Sequence, residues 1–151
     1  MDQQGRLLKE ALAFTRENLA ALTARNGSEV AELMDRAALG LYRLSLNDIA
    51  LEAVDLALTL NPNLPSALQH KGIILLAMNQ NLDQVLPLLD RALSLNPQDK
   101  NLWAGKGDAL KLLGRPEEAV QAYLHAQQLD ATSTQFVDRA LKLVPGHPEA
   151  L

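Results

Sequence analysis

The residues able to carry acid–base or metal chemistry are few and widely spaced. There are three histidines, His70, His125 and His147, separated by 55 and 22 positions, and there is no cysteine. A helical metal site usually places two ligands within about one turn, and no two of these histidines meet that spacing. Without cysteine there are no thiol nucleophiles, thiolate zinc sites or disulfides. The sequence therefore predicts no metal site and no cofactor.

Two short segments resemble catalytic elements only in part. The run 105–108, Gly-Lys-Gly-Asp, lacks the G-x-x-x-x-G-K-[ST] spacing of a phosphate-binding loop and lies inside a helical pattern. Glu117 and Glu118 are adjacent, so on a helix they do not face each other, and they favour a helix N-terminus through its dipole. No Gly-x-Ser-x-Gly nucleophile elbow occurs. We predict no catalytic residues and no enzyme activity.

Composition disfavours two classes of partner. The formal net charge is −4, so the chain lacks the basic excess with which proteins bind nucleic acid. No apolar run approaches the roughly 18 residues of a membrane span, and the N-terminus has no secretory signal pattern. Hydrophobic residues make up 48% and charged residues 21%, as in a globular domain. The expectation is a cytoplasmic protein that binds neither nucleic acid nor membrane.

The strongest pattern is an internal repeat. Three segments end alike, and their alanines at 57, 92 and 126 are spaced 35 and 34 residues apart. Positions 50, 85 and 119 repeat those spacings, whereas positions 38, 72 and 107 are spaced 34 and 35. Because the order of the two spacings is reversed, the second unit has one extra residue between positions 72 and 85. The polar run 79–83 is turn-like, so we assign the insertion to it.

Each unit contains two stretches of helical periodicity separated by a turn. In the third unit these are 101–113 and 117–129, with apolar residues at three- and four-residue steps. Between them, Gly114 suits the left-handed position after a helix and Pro116 suits the first turn of the next helix. Asn-Pro pairs at 61–62 and 96–97 end the first two units, because the residue before proline is disfavoured in a helix.

These features resemble the tetratricopeptide repeat (TPR) family, whose pattern is W-x2-L-G-x2-Y…A-x3-F…P in about 34 residues. The third unit matches at Trp103, Gly107, Leu110, Ala119 and Tyr123, with Lys106 replacing the usual leucine and Ala131 the usual proline. The resemblance implies an all-α, right-handed α-solenoid of antiparallel helix pairs, with TPR units at 31–64, 65–99 and 100–133. It implies close helix approach at small residues such as Gly107, and it places Trp103 in the core.

The two ends of the chain are less regular. A helix is predicted over 3–25, ended by the run 26–28 with Ser28 as the cap of the next helix; segment 1–27 is then a capping helix or a dimerisation helix. Segment 134–151 is predicted to be a partial C-terminal repeat, and its stretch 134–144 fits either a first or a second repeat helix. Because no polar capping helix follows, we expect either a fragment of a longer protein or an end covered by another subunit.

In the TPR family the first helix of each unit lines a concave groove that typically holds a peptide or a partner helix. The register assigns to this groove Arg36, Leu39, Tyr42, Arg43, Gln69, His70, Ile73, Leu76, Asn101, Asp108 and Lys111. Charged positions such as Asp35 and Lys111 are more often solvated surface than partner contacts. The family's clamp for acidic chaperone C-termini needs lysine, asparagine and arginine at positions that here hold Asp35, Leu39, His70, Asn101 and Gly105, so that partner class is disfavoured.

Two functions remain open at this point. The first is a non-catalytic protein–protein interaction module that binds a hydrophobic or amphipathic segment of a partner protein in the groove, whose centre is apolar. The second is a structural or self-assembly segment of a larger multidomain protein, which packs on its own copies as a homo-oligomer or on another domain.

Overall fold

The computed structural model describes residues 2–143, and all of its regular structure is helical. The helices are α1 (Gln3–Glu17), α2 (Leu19–Arg43), α3 (Asn47–Leu60), α4 (Pro65–Met78), α5 (Val85–Leu95), α6 (Lys100–Leu112), α7 (Pro116–Leu129) and α8 (Gln135–Leu143), with one 3₁₀ turn at Leu82–Gln84. No strand occurs among the described residues. The all-α class and the helix pairs expected from the periodicity are confirmed.

The chain divides into two compact units between Gln80 and Asn81, inside the second repeat. In the first unit, α2 packs on α3, and α4 packs on both. Its core is built from leucines, alanines and valines of these helices, together with Leu12 of α1. In the second unit, α6 packs on α7, and α7 packs on α8. Its core includes Tyr123 and Phe136.

The three helix pairs share one turn geometry. Ser45, Asn79 and Gly114 occupy equivalent positions after the first helix, and all three adopt positive φ, at 61°, 52° and 76°. In each turn the next N–H bonds to a carbonyl five residues earlier: Leu46 to Leu41, Gln80 to Leu75, and Arg115 to Leu110. This backbone bond pairs a carbonyl that the helix end would otherwise leave unpaired. The predicted left-handed role of Gly114 is confirmed.

The extra residue of the second repeat lies just after this shared turn. Val85 follows Gln80 by five positions, whereas position 50 follows 46 and position 119 follows 115 by four. The chain accommodates the addition with Asn81 in the left-handed region and a 3₁₀ turn over Leu82–Gln84. The insertion predicted near Asn79–Asp83 is therefore confirmed. It is accommodated by the 3₁₀ turn that immediately precedes α5.

The N-terminal region differs from the single helix predicted over 3–25. The structure breaks it at Asn18, whose amide donates to the carbonyl of Phe14 and so satisfies the end of α1. Helix α2 then begins at Leu19 and runs past the predicted stop, with a kink at Asn26, where φ is −136° and ψ is 38°. The break predicted at 26–28 is therefore present, as a kink at Asn26 instead of a complete helix end.

Small residues are buried where helices pack tightly. Gly107 of α6 faces the ring of Tyr123 on α7, and a Cβ at this glycine would lie 2.6 Å from Tyr123 Cε1. Ala57, Ala92 and Ala126 are completely buried. The expectation of close approach is confirmed at Gly107, where it explains the glycine.

Helix α8 buries Phe136 and Ala140 and packs on α7. By chain order it follows the second helix of the third pair, which favours the first-helix interpretation of 134–144. Val144 and the rest of the C-terminal stretch to Leu151 lie outside the described residues.

Candidate partner-binding face

Eight of the eleven predicted groove residues lie on two helices of the first unit. Arg36, Leu39, Tyr42 and Arg43 are on α2, and Gln69, His70, Ile73 and Leu76 are on α4. These two helices contact each other. We refer to the surface that these eight residues form as the α2–α4 face.

The centre of the α2–α4 face is apolar and only partly covered. Leu39, Tyr42, Ile73 and Leu76 are all intermediate in exposure. On α4, Gln69, Ile73 and Leu76 follow the i, i+4, i+7 spacing that aligns side chains along one side of a helix. Partly exposed apolar side chains aligned in this way can lose further water-accessible area to a bound segment.

Two cations border this apolar centre. Arg36 and Arg43 are exposed and seven residues apart on α2, with Leu39 between them. Neither guanidinium forms an ion pair within residues 2–143. They are therefore available to pair with carboxylates of another molecule.

An acid–histidine pair, in which Asp35 is buried and His70 is partly exposed, joins the two helices at this face. Asp35 Oδ1 lies 2.7 Å from His70 Nδ1, and the side chains are 6% and 18% exposed. The expectation that Asp35 is solvated surface is wrong, because burial of a carboxylate requires a partner and His70 provides one. The sequence did contain a signal for this contact. The repeat places positions 35 and 70 on neighbouring first helices, one register step apart.

The other three predicted residues lie on α6 of the second unit. Asn101, Asp108 and Lys111 are all exposed. Asp108 accepts a hydrogen bond from the Tyr123 hydroxyl at 2.5 Å and lies 3.5 Å from a guanidinium nitrogen of Arg139. Burial, reinforced by this hydrogen bond and the Asp108 charge, raises the pKa of Tyr123. Asp108 therefore links α6 to α7 and α8 and is less free than its exposure suggests.

The second unit also carries a depression of about 280 Å³ between α6 and α7, floored by Leu110 and Ala122. Trp103 lies at its edge, against the ring of His125, with centroids 3.9 Å apart. Trp103 is only partly buried and packs against the core of the second unit instead of lying inside it. Its indole N–H donates to the carbonyl of Pro97 at 2.9 Å.

The charged groups around this depression are already paired within the unit. Lys106 binds Asp90 at 2.6 Å, and Glu118 binds Arg115 at 2.6 Å. The depression is therefore a less favourable recognition site than the α2–α4 face, whose two arginines are unpaired among the described residues.

Within residues 2–143, no cluster of three or more His, Asp or Glu side chains has the geometry to hold a metal ion. None of the helices described is both long and apolar enough to cross a membrane.

The sequence matches known proteins over part of its length. Residues 101–133, the third predicted unit, match the family model of the tetratricopeptide repeat. The peroxisomal targeting signal receptor of Candida albicans is 38% identical over 93 residues, or 60% of this chain. The matched region spans 16% of that receptor's length.

Solved structures share the fold at low sequence identity. The first TPR of Spaghetti (RPAP3), bound to the HSP90 peptide SRMEEVD, superposes with a TM-score of 0.69 at 16% identity, over 77% of this chain and 91% of that one. The Arabidopsis OM64 TPR domain gives 0.70 at 17%, over 81% and 100%. MamA from Desulfovibrio magneticus RS-1 gives 0.65 at 22%, over 95% and 85%. These likenesses concern the fold alone.

Proposed function

Because residues 101–133 match the tetratricopeptide repeat and the fold is shared with solved TPR domains, we propose that the chain is a protein–protein interaction module whose α2–α4 face binds an amphipathic segment of a partner protein. The observation that carries the proposal is the partly exposed apolar centre of that face, bordered by two arginines that form no ion pair within residues 2–143. The expectation of a non-catalytic role belongs to the same proposal.

The chemistry of the face defines the segment. Further burial of Leu39, Ile73 and Leu76 contributes about 25 cal/mol per Å² of apolar surface removed from water. Arg36 and Arg43 favour carboxylates on the segment, beside its apolar side chains. A segment that alternates apolar and acidic residues at helical spacing satisfies both demands.

The occupant differs from the acidic chaperone tail seen with the Spaghetti TPR. At the positions where the family's clamp holds a terminal carboxylate, this chain has Asp35, Leu39 and His70. Asp35 is buried and already accepts from His70. A second carboxylate placed here meets no lysine and faces a like charge, so recognition rests on the apolar centre.

The test is peptide selection on the full chain. A phage-displayed library of random 16-residue peptides is selected on the protein, and binders are measured against the Ile73→Ser/Leu76→Ser double variant. Leu112→Ser is the matched control, because Leu112 is 68% exposed and lies on α6. We expect acidic amphipathic peptides whose binding is lost only in the double variant. Failure to enrich peptides, or equal binding to all three proteins, would refute the proposal.

A second candidate function, self-association, is favoured by α1. Leu7 and Phe14 are 58% and 61% exposed, and their seven-residue spacing places them on one side of the helix, with exposed Ala11 between them. An exposed apolar stripe is typical of a helix that pairs with another. Light scattering across concentration, with Leu7→Ser/Phe14→Ser for comparison, tests it. A monomer mass at every concentration would eliminate this candidate.

A further inference from the structure

The Asp35–His70 pair fixes the chemistry of the imidazole. Asp35 Oδ1 lies 2.7 Å from Nδ1, and a carboxylate oxygen accepts, so in the neutral ring the proton lies on Nδ1 and points at Asp35. The other nitrogen, Nε2, is then a hydrogen-bond acceptor. A carboxylate that orients an imidazole in this way determines which atom the ring presents to a ligand.

The Nε2 atom is available. Within residues 2–143, Asp35 is the only hydrogen-bonding partner found for His70. Among the described residues, the buried side-chain nitrogen and oxygen atoms without a hydrogen-bond partner are Asn47 Oδ1 and Gln127 Oε1. Because Nε2 has no partner and is not one of them, it is not fully buried. The exposed part of the ring therefore includes Nε2. His70 lies one helical turn before Ile73, so this acceptor borders the apolar centre of the α2–α4 face.

We propose that His70 Nε2 is the polar specificity determinant of the α2–α4 face, accepting a hydrogen bond from a serine or threonine hydroxyl of the bound segment. Asp35 is its positioning residue. The inference rests on the proposed function and adds the side-chain chemistry that the segment must carry. An apolar segment without a donor would cover Nε2 and leave it unpaired, which is unfavourable in a desolvated site.

The first test needs no protein variant. Peptides selected on the full chain are resynthesised with each threonine replaced by its isostere valine and each serine by alanine, and affinities are measured by calorimetry in mildly alkaline buffer. One replacement should weaken binding about tenfold, from the loss of one hydrogen bond to a desolvated acceptor. Binders without a hydroxyl, or equal affinities for all replacements, overturn the inference.

The second test reads the imidazole directly. Two-bond ¹⁵N–¹H spectra should show the His70 proton on Nδ1 in the wild-type chain. In Asp35→Asn the amide can donate to Nδ1, which moves the proton to Nε2. Because a hydroxyl can also accept a hydrogen bond, the decisive peptide carries the donor-only ammonium of 2,4-diaminobutyrate in place of the threonine, and its binding should be lost in this variant. The matched control is Asp55→Asn, which removes a carboxylate 2.8 Å from Lys71, the residue after His70, and should change neither readout.

The outcomes separate the two proposals. If peptide binding depends on Ile73 and Leu76 but ignores the hydroxyl, or if the wild-type ring carries its proton on Nε2, the role of His70 is wrong and the proposed function stands. If no selected peptide depends on Ile73 and Leu76, both fail. If Asp35→Asn does not fold, the wild-type spectrum and the valine peptides still decide the question.

Discussion

Replacing Gly107 by alanine adds one methyl group where α6 meets α7. In most helix interiors this change is stabilising by about 0.8–1 kcal/mol, because alanine restricts the unfolded chain more than glycine does. At position 107 the new Cβ would lie 2.6, 2.7 and 2.9 Å from three ring atoms of Tyr123. Ordinary contacts between carbon atoms are about 3.5–4.0 Å, so the two helices or the ring must move.

The ring has little freedom to move. Tyr123 is 1% exposed, and its hydroxyl is held by Asp108 on the same helix as Gly107. Overpacking of a filled core costs about 1–3 kcal/mol. Because three distances are shorter than normal contacts and the ring is held in place, we expect a cost near the upper end of this range. After subtraction of the propensity gain, we expect Gly107→Ala to lower the free energy of unfolding by about 2 kcal/mol.

The assay is urea denaturation followed by the fluorescence of Trp103. This is the sole tryptophan of the chain, and it lies in the same unit as the substitution. The matched control is Gly40→Ala, measured by circular dichroism, because a Cβ at Gly40 meets nothing within 4 Å. That variant should gain up to about 1 kcal/mol.

A second background isolates the ring. In a Tyr123→Ala chain the clash is absent, so adding Gly107→Ala should no longer destabilise. The reasoning is refuted if Gly107→Ala matches or exceeds the wild-type stability in the wild-type background. It is also refuted if the penalty persists after the ring is removed.

Two further outcomes follow from the turns and from the buried tyrosine. Ser45→Gly should stabilise the chain by about 1 kcal/mol and Gly114→Ser should destabilise it similarly, since both positions have positive φ; denaturation shifts of the same sign would contradict this. Burial first, and then the hydrogen bond, raise the pKa of Tyr123, so the folded state holds the phenol proton more tightly. Stability should therefore be intact below about pH 10 and fall above it by up to about 1.4 kcal/mol per pH unit. A Tyr123→Phe variant that shows the same alkaline decline in denaturation would contradict the assignment.

Features repeated along the chain were the most predictable from sequence. The spacing of small residues identified the helix pairs and predicted a close approach at Gly107, where the structure places the ring of Tyr123. Gly114 and Pro116 marked a turn whose backbone demands are local. Such features are predictable because each depends on a few neighbouring residues and recurs in several units.

Features that depend on one tertiary neighbour were missed. Asp35 was interpreted as a surface charge because its partner lies on another helix. That partner, His70, has no counterpart in the other repeats. Trp103 was assigned to the core because it matches the repeat pattern, yet its N–H donates to the carbonyl of Pro97 at the surface. The break at Asn18 was missed because a single asparagine in a helical pattern carries little local information.

The added residue between Gln80 and Val85 has a consequence for recognising such chains by computation. The shared backbone bond at each turn fixes the exit of the first helix before the addition begins, so the second helix regains its pattern of small residues one position late. A search that assumes a constant repeat length is out of register after this point, so it aligns the residues before and after the insertion as separate units. Alignments of related chains should therefore place a gap between 80 and 85, where a length change leaves both helices of the pair intact.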